Sequence, residues 1–114
     1  MIIVIQKYIY YHEIIEYNQD YCRTRCYDYV LISVDKDPCE VIEEFICQYD
    51  YIVFLNQPIK IFDDLFNCTQ PTVYYLNYIN QIIVLPNKDL MSEFLDDWKK
   101  ENPNIYFIRK YIEL

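Results

Sequence analysis

Two cysteines, Cys22 and Cys26, are the residues of this chain whose type and spacing best suit chemistry. They enclose the segment Cys-Arg-Thr-Arg-Cys, and cationic neighbours lower the pKa of a thiol and favour the nucleophilic thiolate. The same spacing is compatible with a short-loop disulfide. The alternative is a pair of ordinary loop thiols that act as small, partly buried apolar side chains.

Cys68 and His12 are the other candidates for chemistry. Cys68 lies three residues before Pro71, and its alternative role is a small buried side chain. His12 is the single histidine, so it could act as an acid–base group or join Cys22 and Cys26 around zinc. Zinc sites in proteins use four ligands, and only three candidates are in view. We therefore expect a surface histidine, no metal site and no cofactor.

Apolar runs and amphipathic segments alternate along the chain, which predicts an α/β fold in one domain spanning residues 1–114. The near-continuous apolar run at 29–34 predicts a central strand. Asp37, Pro38 and Glu40 predict a capped helix start. The predicted strands are 1–6, 29–34, 51–55, 72–77, 81–85 and 105–112; the predicted helices are 10–18, one from 37, one from 58 and 88–101, with a loop at 19–28. Crossover connections and one hairpin imply a mixed central sheet.

Residues 29–100, about two thirds of the chain, carry a family resemblance. A strand ending in Ser33-Val34-Asp35 is followed by Asp37-Pro38-Cys39-Glu40, and later a Pro71-Thr72 pair opens a hairpin that precedes a helix. In this order and spacing, residues 29–100 resemble thioredoxin-like proteins of the peroxiredoxin and TlpA kind. The resemblance implies a three-layer sandwich with a mixed central sheet and a cis peptide bond before Pro71. It also implies a binding groove bordered by Thr69, Gln70, Pro71 and Thr72.

The resemblance fails where the family carries its redox pair. That Cys-x-x-Cys would follow the first strand, near residues 7–12, where this sequence reads Lys-Tyr-Ile-Tyr-Tyr-His without sulfur. Disulfide exchange needs a thiolate. We therefore expect a non-catalytic thioredoxin-fold protein that acts as a protein-interaction module. The alternative is a thiol-disulfide oxidoreductase in which Cys22 and Cys26, or Cys68, have taken over the redox role.

Composition predicts which classes of partner the chain binds and in which compartment it lies. The net charge of −8 and the pI near 4.4 argue against nucleic acid as a partner, because phosphates repel an acidic surface. No apolar run reaches the length of a membrane span or of a signal peptide's core, which predicts a cytoplasmic protein. The sequence contains no Gly and no Ala, as is typical of AT-rich genomes. In this it resembles small proteins from viruses of hyperthermophilic archaea, which implies the host cytoplasm.

Tyrosine is the most unusual feature of the composition, with fourteen residues in the chain. Seven of them fall in the first quarter: Tyr8, Tyr10, Tyr11, Tyr17, Tyr21, Tyr27 and Tyr29. Tyrosine combines apolar area with a polar tip and is enriched at protein interfaces. The sequence thus predicts a protein partner or self-association, for instance as a homodimer, with this region as the contact surface. The alternative is that AT-rich codon usage alone raises the tyrosine content.

Overall fold

A computed structural model describes residues 1–8, 10–76, 80–98 and 108–112 of the chain. Its strands join in one six-stranded sheet in the order β2-β1-β3-β5-β4-β6. The strands are β1 (Ile2–Lys7), β2 (Asp28–Ile32), β3 (Tyr51–Leu55), β4 (Thr72–Leu76), β5 (Asn80–Leu85) and β6 (Ile108–Ile112). The helices of the described part are α1 (His12–Thr24), α2 (Pro38–Phe45) and α3 (Lys88–Trp98). The predicted α/β class and mixed sheet are confirmed.

The sheet has two ends, one where most of its strands begin and one where they finish, and any site is located relative to these ends. β1 pairs in parallel with both β2 and β3, β5 is antiparallel to β3 and β4, and β6 is parallel to β4. β1, β2, β3 and β4 therefore all run in the same direction. We call the end of the sheet where these strands begin the amino end, and the end where they finish the carboxyl end.

The helices cover both faces of this sheet. α2 and α3 pack on one face, where Ile42 and Phe94 meet β-strand residues such as Phe54. α1 packs on the other face, where Cys22 meets Val4. The segment between β3 and β4 covers the rest of that face through Ile59, Ile61 and Leu65. Because both faces are covered, the central strands are buried as near-continuous apolar runs, as the sequence predicted.

Local chemistry sets the helix boundaries. The Asp37 side chain accepts a hydrogen bond from the Cys39 backbone N–H (3.3 Å), and Pro38 occupies the first helical position, so the predicted start of α2 is confirmed. Asn87 caps α3 in the same way, accepting from the Asp89 N–H at 2.9 Å. The last predicted residues of that helix, 99–101, lie outside the described residues, as do 105–107 of the last strand and most of the hairpin reversal.

α1 is longer than the sequence predicted, and it includes most of the expected loop at 19–28. Its buried stripe consists of Ile15, Asn18 and Cys22. The central member of the stripe is polar, so the apolar period breaks there in the sequence. Asn18 is nevertheless fully buried, because all of its amide groups are hydrogen-bonded.

Asn18 and the buried Gln6 also explain why the predicted helix from Pro58 is wrong. The Asn18 amide donates to Gln6 Oε1 (3.0 Å) and to the Ile59 carbonyl (2.9 Å), and its oxygen accepts from the Ile61 N–H (2.9 Å). The Gln6 amide donates to the Gln57 carbonyl at 2.9 Å. These side chains satisfy the backbone of 57–61 without a helix. Only a short 3₁₀ turn, Asp63–Phe66, follows.

Two further predictions are wrong. The apolar run at 29–34 forms an edge strand rather than a central strand, since only β1 lies beside β2 in the described sheet. The peptide bond before Pro71 is trans, as are all bonds of the described chain. The trans form is favoured by about 0.5–1 kcal/mol at an X–Pro bond, and Pro71 leads directly into β4 without a tight reversal that would favour cis.

Candidate functional site

The Cys-Arg-Thr-Arg-Cys segment forms the C-terminal end of α1. The Tyr27 N–H donates to the Cys22 carbonyl (2.9 Å) and the Cys26 N–H to the Arg23 carbonyl (3.2 Å), which is the Schellman pattern of a helix end. Cys26 occupies the left-handed position of this motif, with φ of 59°. Glycine is the usual residue there, and this chain has none. The two cysteines are therefore spaced as Cys22 and Cys26 because both take part in the Schellman motif that ends α1.

The two thiols differ in their surroundings. Cys22 is 1% exposed and Cys26 is exposed, and both are free thiols. Burial raises the pKa of the Cys22 thiol to about 12, and the nearby Arg25 charge offsets this only in part. The hypothesis that the flanking arginines produce a thiolate at Cys22 is therefore wrong, because desolvation outweighs their charge.

Both arginines are engaged elsewhere. Arg23 forms an ion pair with Asp20 one turn earlier in α1. The Arg25 guanidinium lies 3.5 Å from the centre of the Tyr21 ring and 3.7 Å from the Asp63 carboxylate. Both charges are thus paired at the outer surface of α1, and the Arg25 charge in addition lowers the pKa of the Cys22 thiol in part.

Cys68 lies at the amino end of the sheet between two tyrosines. Its N–H donates to Tyr51 Oη (3.1 Å), and its sulfur lies 3.7 Å from Tyr74 Oη and 3.7 Å from the Asp64 carbonyl. Burial raises the pKa of both phenols. Cys68 is half-buried, and the groups that contact it are two phenols and a backbone carbonyl.

The four residues predicted to border a groove lead into β4, which begins at Thr72. Pro71 and Thr72 are buried and Thr69 and Gln70 are exposed; the Thr72 hydroxyl donates to the Gln70 carbonyl at 2.9 Å. Because β4 is parallel to β1, Pro71 lies at the amino end of the sheet. Tyr8 and residues 10–12, which follow β1, lie at the carboxyl end. The structure therefore does not bring the proline loop and the segment after β1 together.

His12 is exposed at the first turn of α1, at the carboxyl end of the sheet. Cys22 is ten residues further along the helix, a distance of about 15 Å at 1.5 Å per residue. Among the described residues, no group of three or more His, Cys, Asp or Glu side chains is close enough to hold a metal ion. The zinc hypothesis for His12, Cys22 and Cys26 is therefore wrong.

Five of the seven tyrosines of the first quarter divide between two environments. Tyr21 and Tyr27 pack against Phe66, with ring centres 5.6 Å and 4.8 Å away, and Tyr29 lies against the apolar core beneath α1. Tyr8 and Tyr10 instead lie at the carboxyl end, with ring centres 5.6 Å apart in an edge-to-face arrangement. Tyr10 is 84% exposed. Only part of the tyrosine-rich region is thus available as a contact surface.

A concavity of about 470 Å³ adjoins these two rings at the carboxyl ends of β1 and β2. We call it the tyrosine groove; its lining is Tyr8, Tyr10, Leu31, Ile32, Ser33, Val34 and Asp35. Leu31 is 37% and Val34 is 59% exposed, although both belong to the apolar run that the sequence assigned to a buried strand. The Tyr8 N–H donates to the Ile32 carbonyl (2.8 Å), which fixes the two walls of the groove against each other.

A second concavity, of about 500 Å³, lies between α1 and the 61–63 segment. Its polar groups already pair with one another: the Tyr21 hydroxyl donates to the Asp63 carboxylate, which also faces Arg25. Burial and the Asp63 hydrogen bond raise the pKa of the Tyr21 phenol. The tyrosine groove, with its exposed apolar lining and Asp35 at its rim, is therefore the stronger candidate for a binding site.

Comparisons of this chain with models of known protein families, with curated proteins and with solved structures give no match. Within the described residues, none of the helices has the length and apolar character needed to cross a membrane. Any functional conclusion therefore rests on the geometry of the chain itself.

Proposed function

We propose that this chain is a non-catalytic protein-interaction module that binds an apolar and basic segment of a partner protein in the tyrosine groove. The observation that carries the proposal is the exposure of large apolar side chains around one concavity, with Tyr10 and Val34 each more than half exposed. Exposed apolar patches beside polar residues commonly mark interaction sites. Tyrosine supplies contact area at low conformational-entropy cost.

Charge supports the choice of partner. The chain carries a net charge of −8, and Asp35 lies at the rim of the groove. An acidic surface accelerates association with a positively charged partner and discriminates against acidic ones. We therefore expect the bound segment to place an aliphatic or aromatic side chain against Tyr8 and Tyr10, with a lysine or arginine nearby that faces Asp35.

The thioredoxin-like assignment remains a prediction beside this proposal. It is supported by the order of elements, in which a hairpin and a final helix follow alternating strands and helices. The trans bond before Pro71 and the position of that residue at the amino end are features that it does not explain. The groove proposal does not depend on it. A cytoplasmic location and an origin in an AT-rich genome like those of archaeal viruses are likewise predictions from composition.

Selection from a displayed library of random peptides tests whether the tyrosine groove binds the proposed kind of segment. We expect selection on the immobilised chain to enrich peptides that combine an apolar residue with a neighbouring lysine or arginine. Tyr10→Ala should weaken an enriched peptide by about tenfold or more, as truncation of an aromatic anchor does. Asp35→Asn should weaken it less and reduce its sensitivity to salt.

Tyr111→Ala is the matched control, because Tyr111 is a 66% exposed tyrosine on the strand at the opposite side of the sheet. It should leave peptide binding unchanged. Enriched peptides that bind equally well to the Tyr10→Ala variant, or a selection that enriches nothing, would contradict the proposal.

A further inference from the structure

The two outer strands of the sheet differ in how well they are protected. β6 carries two adjacent exposed cations, Arg109 and Lys110, and charged side chains are a common protection of an edge strand. β2 has the sequence Asp-Tyr-Val-Leu-Ile, without Lys, Arg or Pro. In the part of the chain that the structure describes, no strand lies on its outer side.

The backbone groups on the outer side of β2 can be assigned from its pairing. The Ile32 carbonyl accepts a hydrogen bond from the Tyr8 N–H and therefore faces β1. Backbone direction alternates from residue to residue along a strand, so the N–H and C=O groups of Tyr29 and Leu31 face outward. These groups form a short template for one more strand.

The outward backbone groups of β2 can pair with the same groups of β2 in a second copy of the chain. If two β2 strands pair in antiparallel fashion about a two-fold axis at Val30, Tyr29 lies opposite Leu31 of the second copy, and the outward groups of both residues are paired. The side chains of Tyr29 and Leu31, which are both largely apolar, are then cross-strand neighbours. The same pairing of β6 about its centre would place Lys110 beside its own copy, and like charges directly opposite are destabilising.

α1 provides a second, independent point of complementarity. Tyr21 bonds to Asp63 and the Lys60 ammonium lies 5.0 Å from the centre of the Tyr17 ring, so this flank of α1 faces the 60–63 segment. The helical period places the exposed Glu16, Gln19 and Arg23 on the opposite flank, toward the open side of β2.

A two-fold axis makes this flank self-complementary. α1 runs from the carboxyl end to the amino end, so Glu16 lies nearer the former and Arg23 nearer the latter. An antiparallel arrangement of two helices then brings Glu16 of each copy toward Arg23 of the other. Five paired residues alone bury less than the roughly 800 Å² per partner of a stable interface, so the helices must contribute to the contact.

We infer that this chain forms a two-fold homodimer in which β2 pairs with β2 of a second copy and the two α1 helices lie side by side over one continuous sheet. The inference goes beyond the proposed function, because the occupant is a second copy and the surface is the open side of β2 and α1, which shares Leu31 and Ile32 with the tyrosine groove. Peptide binding and dimer formation are measured with different variants, so either can fail without the other.

A charge exchange on α1 tests the inference by sedimentation velocity over a concentration series. The wild-type chain should be a dimer. In the dimer of the Glu16→Arg variant, each substituted position faces Arg23 of the other copy, which gives two arginine–arginine pairs. In the dimer of the Arg23→Glu variant, each substituted position faces Glu16 of the other copy, which gives two glutamate–glutamate pairs. Each variant should therefore weaken the dimer by about tenfold or more, given the size of exposed charge–charge terms. An equal mixture of the two variants has two opposite-charge pairs and should recover a heterodimer.

Glu93→Arg makes the same change of charge at an exposed position of α3, on the other face of the sheet, and should leave the dimer intact. Circular dichroism of each variant establishes that it is folded. A wild-type chain that stays monomeric throughout the series overturns the inference. So does a dimer that is indifferent to both α1 variants, or a mixture that fails to recover one.

Discussion

Cys26, the second cysteine of the Cys-Arg-Thr-Arg-Cys motif, lies at the end of a helix. It takes the left-handed position at the end of α1, with φ of 59°, in a chain that has no glycine to place there. Its partner in the sequence motif, Cys22, faces the core and is 1% exposed. The Cys22 sulfur thus lies in the core and the Cys26 sulfur at the surface, because the chain reverses its helical path at the end of α1.

We predict that Cys26→Gly raises the free energy of unfolding by about 1 kcal/mol, because glycine lacks the Cβ that makes a left-handed conformation costly. Urea denaturation measures the change. Cys26→Ala is the control, since it removes the thiol but keeps the Cβ, and it should shift the midpoint little. Equal effects of the two substitutions would show that the backbone position is not strained.

The raised pKa of Cys22 gives a second prediction at this scale. With the pKa moved from 9.0 to about 12, the thiolate fraction near pH 8 is lowered by about three orders of magnitude. Cys22 should therefore react with iodoacetamide at least about a hundredfold more slowly than the exposed Cys47. Peptide mass spectrometry over a time course measures both rates. Comparable rates would contradict the raised pKa of Cys22 and would favour the alternative of an oxidoreductase that uses Cys22 and Cys26.

At the scale of elements, the structure depends on a buried polar contact between β1, α1 and the segment after β3. Asn18 and Gln6 are both 1% exposed or less, yet each is fully engaged in hydrogen bonds. Such a network specifies one arrangement of three elements, because any shift leaves buried polar groups unpaired.

We predict that Asn18→Ala lowers the free energy of unfolding by about 3 kcal/mol, since it leaves the Ile59 carbonyl, the Ile61 N–H and Gln6 Oε1 unpaired in the core. Asn67→Ala is the matched control: its amide donates to the Asp63 carbonyl at the exposed surface, so its loss should cost about 0.5 kcal/mol or less. Urea midpoints of the two variants measure the difference. A loss below about 1 kcal/mol for Asn18→Ala would show that the network contributes little to stability.

This network also marks the limit of sequence-based prediction. The strand residues and the start of α2 could be predicted, because apolar runs and the Asp37-Pro38 cap act locally. The length of α1 and the extended path after Pro58 could not, because Asn18 is polar and its partners lie 41 and 43 residues further along the chain. The exposure of Leu31 and Val34 was missed for a related reason: an apolar run is the same in an edge strand as in a central one.

At the scale of the whole molecule, burial of phenols and of one thiol links stability to alkaline pH. Burial raises the pKa of Tyr29, Tyr51, Tyr74 and Cys22. Each of these groups keeps its proton longer in the folded state than in the unfolded state. The unfolded state therefore loses protons first, and stability falls as the pH rises.

We predict a free energy of unfolding that is insensitive to these groups below about pH 9, the ordinary pKa of a thiol, and that declines steadily above it. Urea midpoints across an alkaline series measure the decline. Cys22→Ala should delay the onset toward the ordinary phenol pKa of 10.0. Stability that rises or stays constant through this range would contradict the prediction.

The sequence by itself determined the α/β class, the strand cores and the capped helix starts, because these follow from hydrophobic periodicity and from contacts within a few residues. Only the tertiary structure decided which strand lies at the edge, which tyrosines face the solvent and which cysteine is buried. It also placed Pro71 and the segment after β1 at opposite ends of the sheet. Those outcomes depend on strand order and direction, which are set by packing between segments far apart in the chain.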